Sequence, residues 1–96
     1  IYLNNQNKVI TTEVVASGTI NSSAVYPRRI AIKVLEKEAA NVILAHNHPS
    51  GETMPSNSDR AVTKKLQTAL SALDIEILDH IILGQDHYSF ADADLL

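Results

Sequence analysis

Short apolar runs rich in β-branched residues open and close this chain, and two stretches of helical periodicity lie between them. Ile1-Tyr2-Leu3 and Lys8-Val9-Ile10 flank the polar run Asn4-Asn5-Gln6-Asn7, which predicts two antiparallel strands joined by a turn. The second arm is predicted to continue through residues 12–16, whose Val14 and Val15 suit a pleated surface. Gly18 marks a bend or bulge, Asn21, Ser22 and Ser23 a loop, and Pro27 the first turn of a helix reaching about residue 40. Ile30, Val34 and Leu35, with Ala31 and Ala39, form the apolar stripe of that helix. A buried strand is predicted over 41–48, and a second helix over 57–73 carries Val62, Leu66, Ala69, Leu70 and Leu73. Residues 75–78 and 80–83 make one long strand, turned at Gly84-Gln85-Asp86 into a last short strand at His87-Tyr88-Ser89-Phe90. The order β-β-α-β-α-β-β predicts an α/β fold, a mixed β-sheet flanked by helices.

The chemistry concentrates between the third strand and the second helix. If the strand runs through position 48, His46 and His48 point to one face with Asn47 turned away. Pro49 holds His48 extended and ends the strand. Ser56 stands three residues before Asp59 at the start of a helical pattern. Two imidazoles and a carboxylate suit zinc and leave a fourth position for water. The same residues have plainer uses. Paired histidines occur at strand ends for structural reasons, and Ser56-x-x-Asp59 is a capping box that the helix needs with or without a metal.

Composition narrows the choices. Ninety-six residues make one small domain, with 45% hydrophobic and 20% charged residues, ordinary for a soluble globular protein. With no cysteine, neither a disulfide framework nor a thiolate zinc site can form, so a metal must be held by His, Asp or Glu. No apolar run approaches a membrane span and no signal peptide opens the chain, so a cytoplasmic location is expected. The chain starts with Ile inside an apparent strand, and the expectation is a fragment of a longer protein whose first strand is cut short.

A net charge of −3 argues against a nucleic-acid footprint. Arg28, Arg29, Lys33 and Lys37 do cluster on the first predicted helix, and Arg60, Lys64 and Lys65 on the second. Solvated helix faces ordinarily look like this. His80, inside an apolar strand, reads first as a hydrogen-bonded structural histidine and second as an orienting partner for a metal ligand. His87 receives no role.

Taken whole, His46-x-His48-Pro49-x6-Ser56-x2-Asp59 resembles the JAMM (MPN+) metalloprotease motif. More narrowly, His46-Asn47-His48-Pro49-Ser50-Gly51 followed by Pro55-Ser56-x-x-Asp59 is similar to the bacterial RadC family, long called DNA repair proteins. The segments Leu3 to Asn7, Ser17 to Ser23, Tyr26-Pro27-Arg28-Arg29 and Leu78 to Ile82 extend the likeness over nearly the whole chain. Tyr26 departs from it, since many such proteins carry histidine there. The resemblance implies a JAMM/MPN-like (cytidine-deaminase-like) α/β sandwich holding one Zn2+ on His46, His48 and Asp59. It also implies that Ser56 hydrogen-bonds a developing oxyanion and that an upstream glutamate acts as general base. Glu13 is the only carboxylate before the first predicted helix; the alternative is an acid preceding Ile1.

Three functions are open on these grounds. The resemblance favours a zinc-dependent metallohydrolase, peptidase- or isopeptidase-like, acting on a peptide or protein substrate. A DNA-repair-associated DNA-binding or nuclease domain is the alternative that the traditional name suggests. A nuclease commonly uses two metals, and a single carboxylate among the ligands counts against it. The third is a non-catalytic interaction module stabilised by its metal.

Overall fold

The computed structural model describes residues 1–16 and 25–96. Gly18 and the loop at Asn21, Ser22 and Ser23 therefore lie outside the described residues. The elements are β1 (Tyr2–Leu3), β2 (Val9–Thr11), α1 (Pro27–Glu36), β3 (Asn41–Asn47), α2 (Asn57–Ser71), β4 (Glu76–Leu83) and β5 (His87–Ser89). They build one five-stranded sheet in the order β2-β1-β3-β4-β5. β3 and β4 run parallel, and every other pairing is antiparallel. The fold is thus the α/β mixed sheet with two helices that the element order predicts.

The first hairpin closes on Asn4, whose Oδ1 accepts the backbone N–H groups of Gln6 and Lys8 at 2.9 and 3.0 Å. Asn7 takes a positive φ of 59° there, a conformation asparagine tolerates. β2 stops at Thr11 and does not continue through 12–16 as expected. Thr11, its last residue, stands opposite Tyr2, the first residue of β1. Val14 is accordingly exposed.

Both helices end earlier than their apolar patterns suggest, and for one reason. In α1, Glu38 adopts a φ of 53°, its N–H reaches the Leu35 carbonyl and the Ala39 N–H reaches that of Val34. These two bonds satisfy the last carbonyls and turn the chain back towards the sheet. Asp74, with a φ of 59°, does the same after α2, where Ile75 N–H bonds the Leu70 carbonyl. Leu35 and Leu73, both expected in apolar stripes, are exposed. Leu35 stands about 100° around the helix from Val34, off the Ile30–Val34 row, and Leu73 lies beyond the end of α2.

One apolar cluster joins the two helices to the sheet: Ile30 and Val34 from α1, Val62, Leu66 and Leu70 from α2, and Tyr2, Val42 and Ile77 from the strands. An irregularity in β4 decides which way His80 faces. Val42 stands beside Ile77 but Ile43 beside Asp79, so Leu78 is an extra residue in the ladder. Side chains alternate along a regular strand, and Ile77 and His80 would face opposite ways. The bulge resets the alternation, so Ile77, His80 and Ile82 are all buried. No helix among the described residues is long and apolar enough to cross a membrane.

Candidate metal centre

Three pieces of chain deliver three side chains to one point. β3 carries His46. The chain then passes to His48, whose N–H bonds the Leu83 carbonyl at 2.8 Å, extending the sheet contact one residue past β3. A tight turn comes next, with Gly51 at a φ of 86° and its N–H on the His48 carbonyl at 2.9 Å. The turn is pressed against the β4–β5 connection, where the Gln85 N–H bonds the Gly51 carbonyl at 3.1 Å. Gly84 leaves no space for a side chain, since a Cβ there would lie 2.5 Å from Gly51 O and 2.8 Å from Thr53 Cγ2.

The third side chain comes from the start of α2, which has the capping box that Ser56 and Asp59 predict. Ser56 Oγ accepts the Asp59 N–H at 3.0 Å, and Asp59 Oδ2 accepts the Ser56 N–H at 2.8 Å. The capping reading and the metal reading of Asp59 are therefore not rivals. The carboxylate that closes the helix also faces both imidazoles, with His46 Nε2 3.2 Å from Oδ1 and His48 Nε2 3.1 Å from Oδ2. The two Nε2 atoms stand 3.0 Å apart.

Taking a single oxygen of Asp59, the three ligand atoms lie within 4.8 Å of one another. Ligands bound at zinc distances of about 2.0–2.1 Å stand about 3.3 Å apart around a tetrahedral ion. The shortest separations, 3.0 to 3.2 Å, are close to that spacing, with His46 nearest one oxygen of Asp59 and His48 nearest the other. Asp59 is only 7% exposed, and both of its oxygens lie beside imidazole nitrogens, those of His46 and His48. Burial pushes its carboxyl up, but the Ser56 hydrogen bonds and the two histidines outweigh this and hold it below the usual carboxylate range. The site keeps a deprotonated acid beside two imidazoles, the donor set a divalent cation needs. His48 is oriented for this role, because its Nδ1 lies 2.8 Å from the Glu52 carbonyl and must donate to it. In the neutral ring this puts the lone pair on Nε2, facing the cluster.

Behind His46 stands His80. Its Nε2 lies 2.8 Å from His46 Nδ1, and its Nδ1 lies 2.6 Å from Thr63 Oγ1. Phe90 stacks on the ring with the centroids 4.6 Å apart. Burial, reinforced by the neighbouring His46, pushes the His80 imidazole down to about 4 despite the opposing pull of Asp59 and Asp79. His46 is shifted the same way, chiefly by burial, with Asp59 opposing. Sequence reasoning offered His80 two readings and missed Thr63 altogether. The available signal was one polar residue, four positions after Asp59, in the apolar row beside Val62 and Leu66.

Glu13 is held by other residues. Its Oε1 accepts the Tyr2 hydroxyl at 2.9 Å and lies 3.5 Å from Lys33 Nζ. The Tyr2 hydrogen bond, helped by Lys33 and Lys37, holds its carboxyl below the usual value. It is not among the residues grouped around the two histidines. His87 is exposed and bonded locally to Asp86.

The sequence matches the RadC-like JAB domain over residues 1–95. The chain belongs to that family. Among similar proteins are the UPF0758 protein YeeS of Escherichia coli (strain K12), 48% identical over all of this chain and 66% of its own length, and the UPF0758 protein NTHI1125 of Haemophilus influenzae (strain 86-028NP), 53% identical over 44% of its length. The UPF0758 protein PSHAa2643 of Pseudoalteromonas translucida (strain TAC 125) is 50% identical, again over all of this chain and 43% of that protein. This RadC-like JAB domain thus spans 43% to 66% of the length of these relatives. Its five-stranded mixed sheet with two helices agrees with a JAB/MPN-like domain.

Proposed function

We propose that this RadC-like JAB domain is a zinc-dependent hydrolase acting on peptide or isopeptide bonds, with His46, His48 and Asp59 holding the ion. The observation that carries the reading is the convergence of two imidazoles, one of them oriented by the Glu52 carbonyl, and one buried carboxylate at the end of β3 and the start of α2. When bound, a zinc ion with three protein ligands polarises a carbonyl and brings the pKa of its water near neutrality. Asp59 supplies negative charge and couples the centre to the first turn of α2. Ser56 uses its oxygen to accept the Asp59 N–H, so its hydroxyl proton stays available to donate to an oxyanion formed beside the cluster. Glu13 is a poor base on this reading, because a base at neutral pH wants a raised carboxyl pKa and Tyr2 lowers this one.

The substrate in this reading is a peptide or protein. A chain of net charge −3 with one carboxylate among its ligands favours that over DNA. The test begins with elemental analysis of the untagged protein and of Asp59→Ala. About one zinc per chain, lost in the variant, supports the centre; a folded protein that takes up no zinc overturns it. Peptide and isopeptide panels run beside duplex and single-stranded DNA then separate hydrolysis from nucleic-acid chemistry. Zinc binding without turnover on any of them would make this a metal-stabilised interaction module.

A further inference from the structure

We infer that Thr63 and His80 are positioning residues that fix the tautomer of His46, so that His46 offers Nε2 and not Nδ1 to the metal. The inference rests on the proposed metal centre and names two residues that the motif does not contain.

Only one placement of the protons satisfies the contacts that link Asp59, Thr63, His80 and His46 Nδ1. Thr63 Oγ1 lies 2.7 Å from the backbone carbonyl of Asp59 and 2.6 Å from His80 Nδ1. A hydroxyl has one proton. If Thr63 gave it to His80, two oxygens would face each other at 2.7 Å with no hydrogen between them. Thr63 therefore donates to Asp59, and His80 Nδ1–H donates to Thr63. At its other nitrogen, His80 Nε2 faces His46 Nδ1 at 2.8 Å. A second proton on His80 would create a cation that is 4% exposed and has no carboxylate in hydrogen-bond contact with its ring, an arrangement burial disfavours. His80 Nε2 is thus the acceptor and His46 Nδ1–H the donor. The lone pair of His46 is left on Nε2, the atom that faces Asp59 and His48.

Three hydrogen bonds and one facing contact, between His46 Nε2 and the Asp59 carboxylate, close a ring on Asp59. It runs from the Asp59 carbonyl through Thr63, His80 and His46 to the Asp59 carboxylate. Thr63 is 2% exposed, and Phe90 covers the His80 ring, so water cannot substitute for either partner. Every orientation in the ring originates at the carbonyl, which can only accept. Partners of this kind typically contribute about 10–100-fold to metal affinity.

The test reads histidine tautomers by long-range 1H–15N correlation on the zinc-loaded protein, together with zinc affinity by chelator competition. The expected spectrum has His46 protonated at Nδ1 and metal-bound at Nε2, with His80 protonated at Nδ1 only. Thr63→Val is expected to weaken zinc binding about 10–100-fold, and Thr63→Ser to restore it. His80→Gln, which still presents an acceptor and a donor, is expected to fall between Thr63→Val and the parent. Zinc on His46 Nδ1, or a folded Thr63→Val with parental affinity, would overturn the inference while leaving the metal centre standing. A parent that binds no zinc overturns both. Should Thr63→Val fail to fold, the parent spectrum and Thr63→Ser still decide.

Discussion

Asp59 Oδ2 lies 2.8 Å from the backbone nitrogen of Ser56 and 3.1 Å from Nε2 of His48. One oxygen therefore belongs both to the start of a helix and to the candidate metal centre. Helix formation and ligand placement are the same event here, which separates what charge does from what hydrogen bonding does. Asp59→Asn keeps an oxygen that can accept the Ser56 N–H but removes the charge. It is expected to lose zinc with little change in the stability of the metal-free protein, as urea denaturation in chelator would show. Asp59→Ala should lose zinc and the reciprocal cap together.

Ser56→Ala removes the acceptor of the Asp59 N–H and leaves Asp59 in place. A lost cap of this type costs roughly 0.5–2 kcal/mol. Zinc stoichiometry should stay near one. If the hydroxyl also serves an oxyanion, peptide hydrolysis falls by about 10²–10³ in kcat. Ser56→Thr is expected to recover the stability.

Gly84→Ala places a methyl 2.5 Å from the Gly51 carbonyl oxygen, closer than real carbon atoms approach. The turn between His48 and Glu52 must move to admit it. Because the Glu52 carbonyl sets the orientation of His48, both stability and zinc affinity should fall. Overpacking of this kind typically costs about 1–3 kcal/mol. Thermal unfolding with and without zinc would report the two losses separately.

Acid should destabilise the metal-free protein before its carboxylates titrate. The His80 pKa is about 4 folded against an ordinary 6.5 unfolded. Between those values the unfolded chain binds the proton and the folded one does not, so stability falls as pH drops from 6.5 towards 4. The difference amounts to up to about 3 kcal/mol at the low end of that window. His46 is shifted in the same direction and adds to the slope. Denaturant midpoints measured in chelator from pH 7 to 4 should decline, and His80→Gln should flatten the decline.

Glu13→Gln is expected to leave zinc affinity unchanged, because Glu13 bonds Tyr2 and Lys33 and not the cluster. The variant should lower the Tyr2 hydroxyl pKa from about 12, since the Glu13 hydrogen bond and charge help raise it beyond the effect of burial. An ultraviolet titration of tyrosine would show it. Hydrolysis lost in this variant, with zinc retained, would return the base to Glu13.

The linear sequence determined what short-range rules control. Strand periodicity set His46 and His48 on one side of an extended segment, Pro49 ended it, and Ser56-x-x-Asp59 started a helix at the right distance. Each depends on residues within one turn or one pleat, so spacing alone carries the information. The motif resemblance likewise pointed to the family that residues 1–95 match. Helix ends were less legible: the left-handed residue after α1 is Glu38 and after α2 is Asp74, neither of them the glycine that usually announces such a stop.

Tertiary structure decided what surrounds the candidate ligands. His80 meets His46 across 34 positions of sequence and Thr63 across 17, and neither spacing has a local signature. The extra residue at Leu78 turns His80 towards α2, against the alternation that Ile77 begins, and it shows only in the register of β4 on β3. The approach of Gly84 to Gly51 likewise exists only once β4 has docked beside β3. Local patterns specify which faces are apolar and where turns fall. Which polar atoms meet across the sheet depends on register, and register is a property of the packed whole.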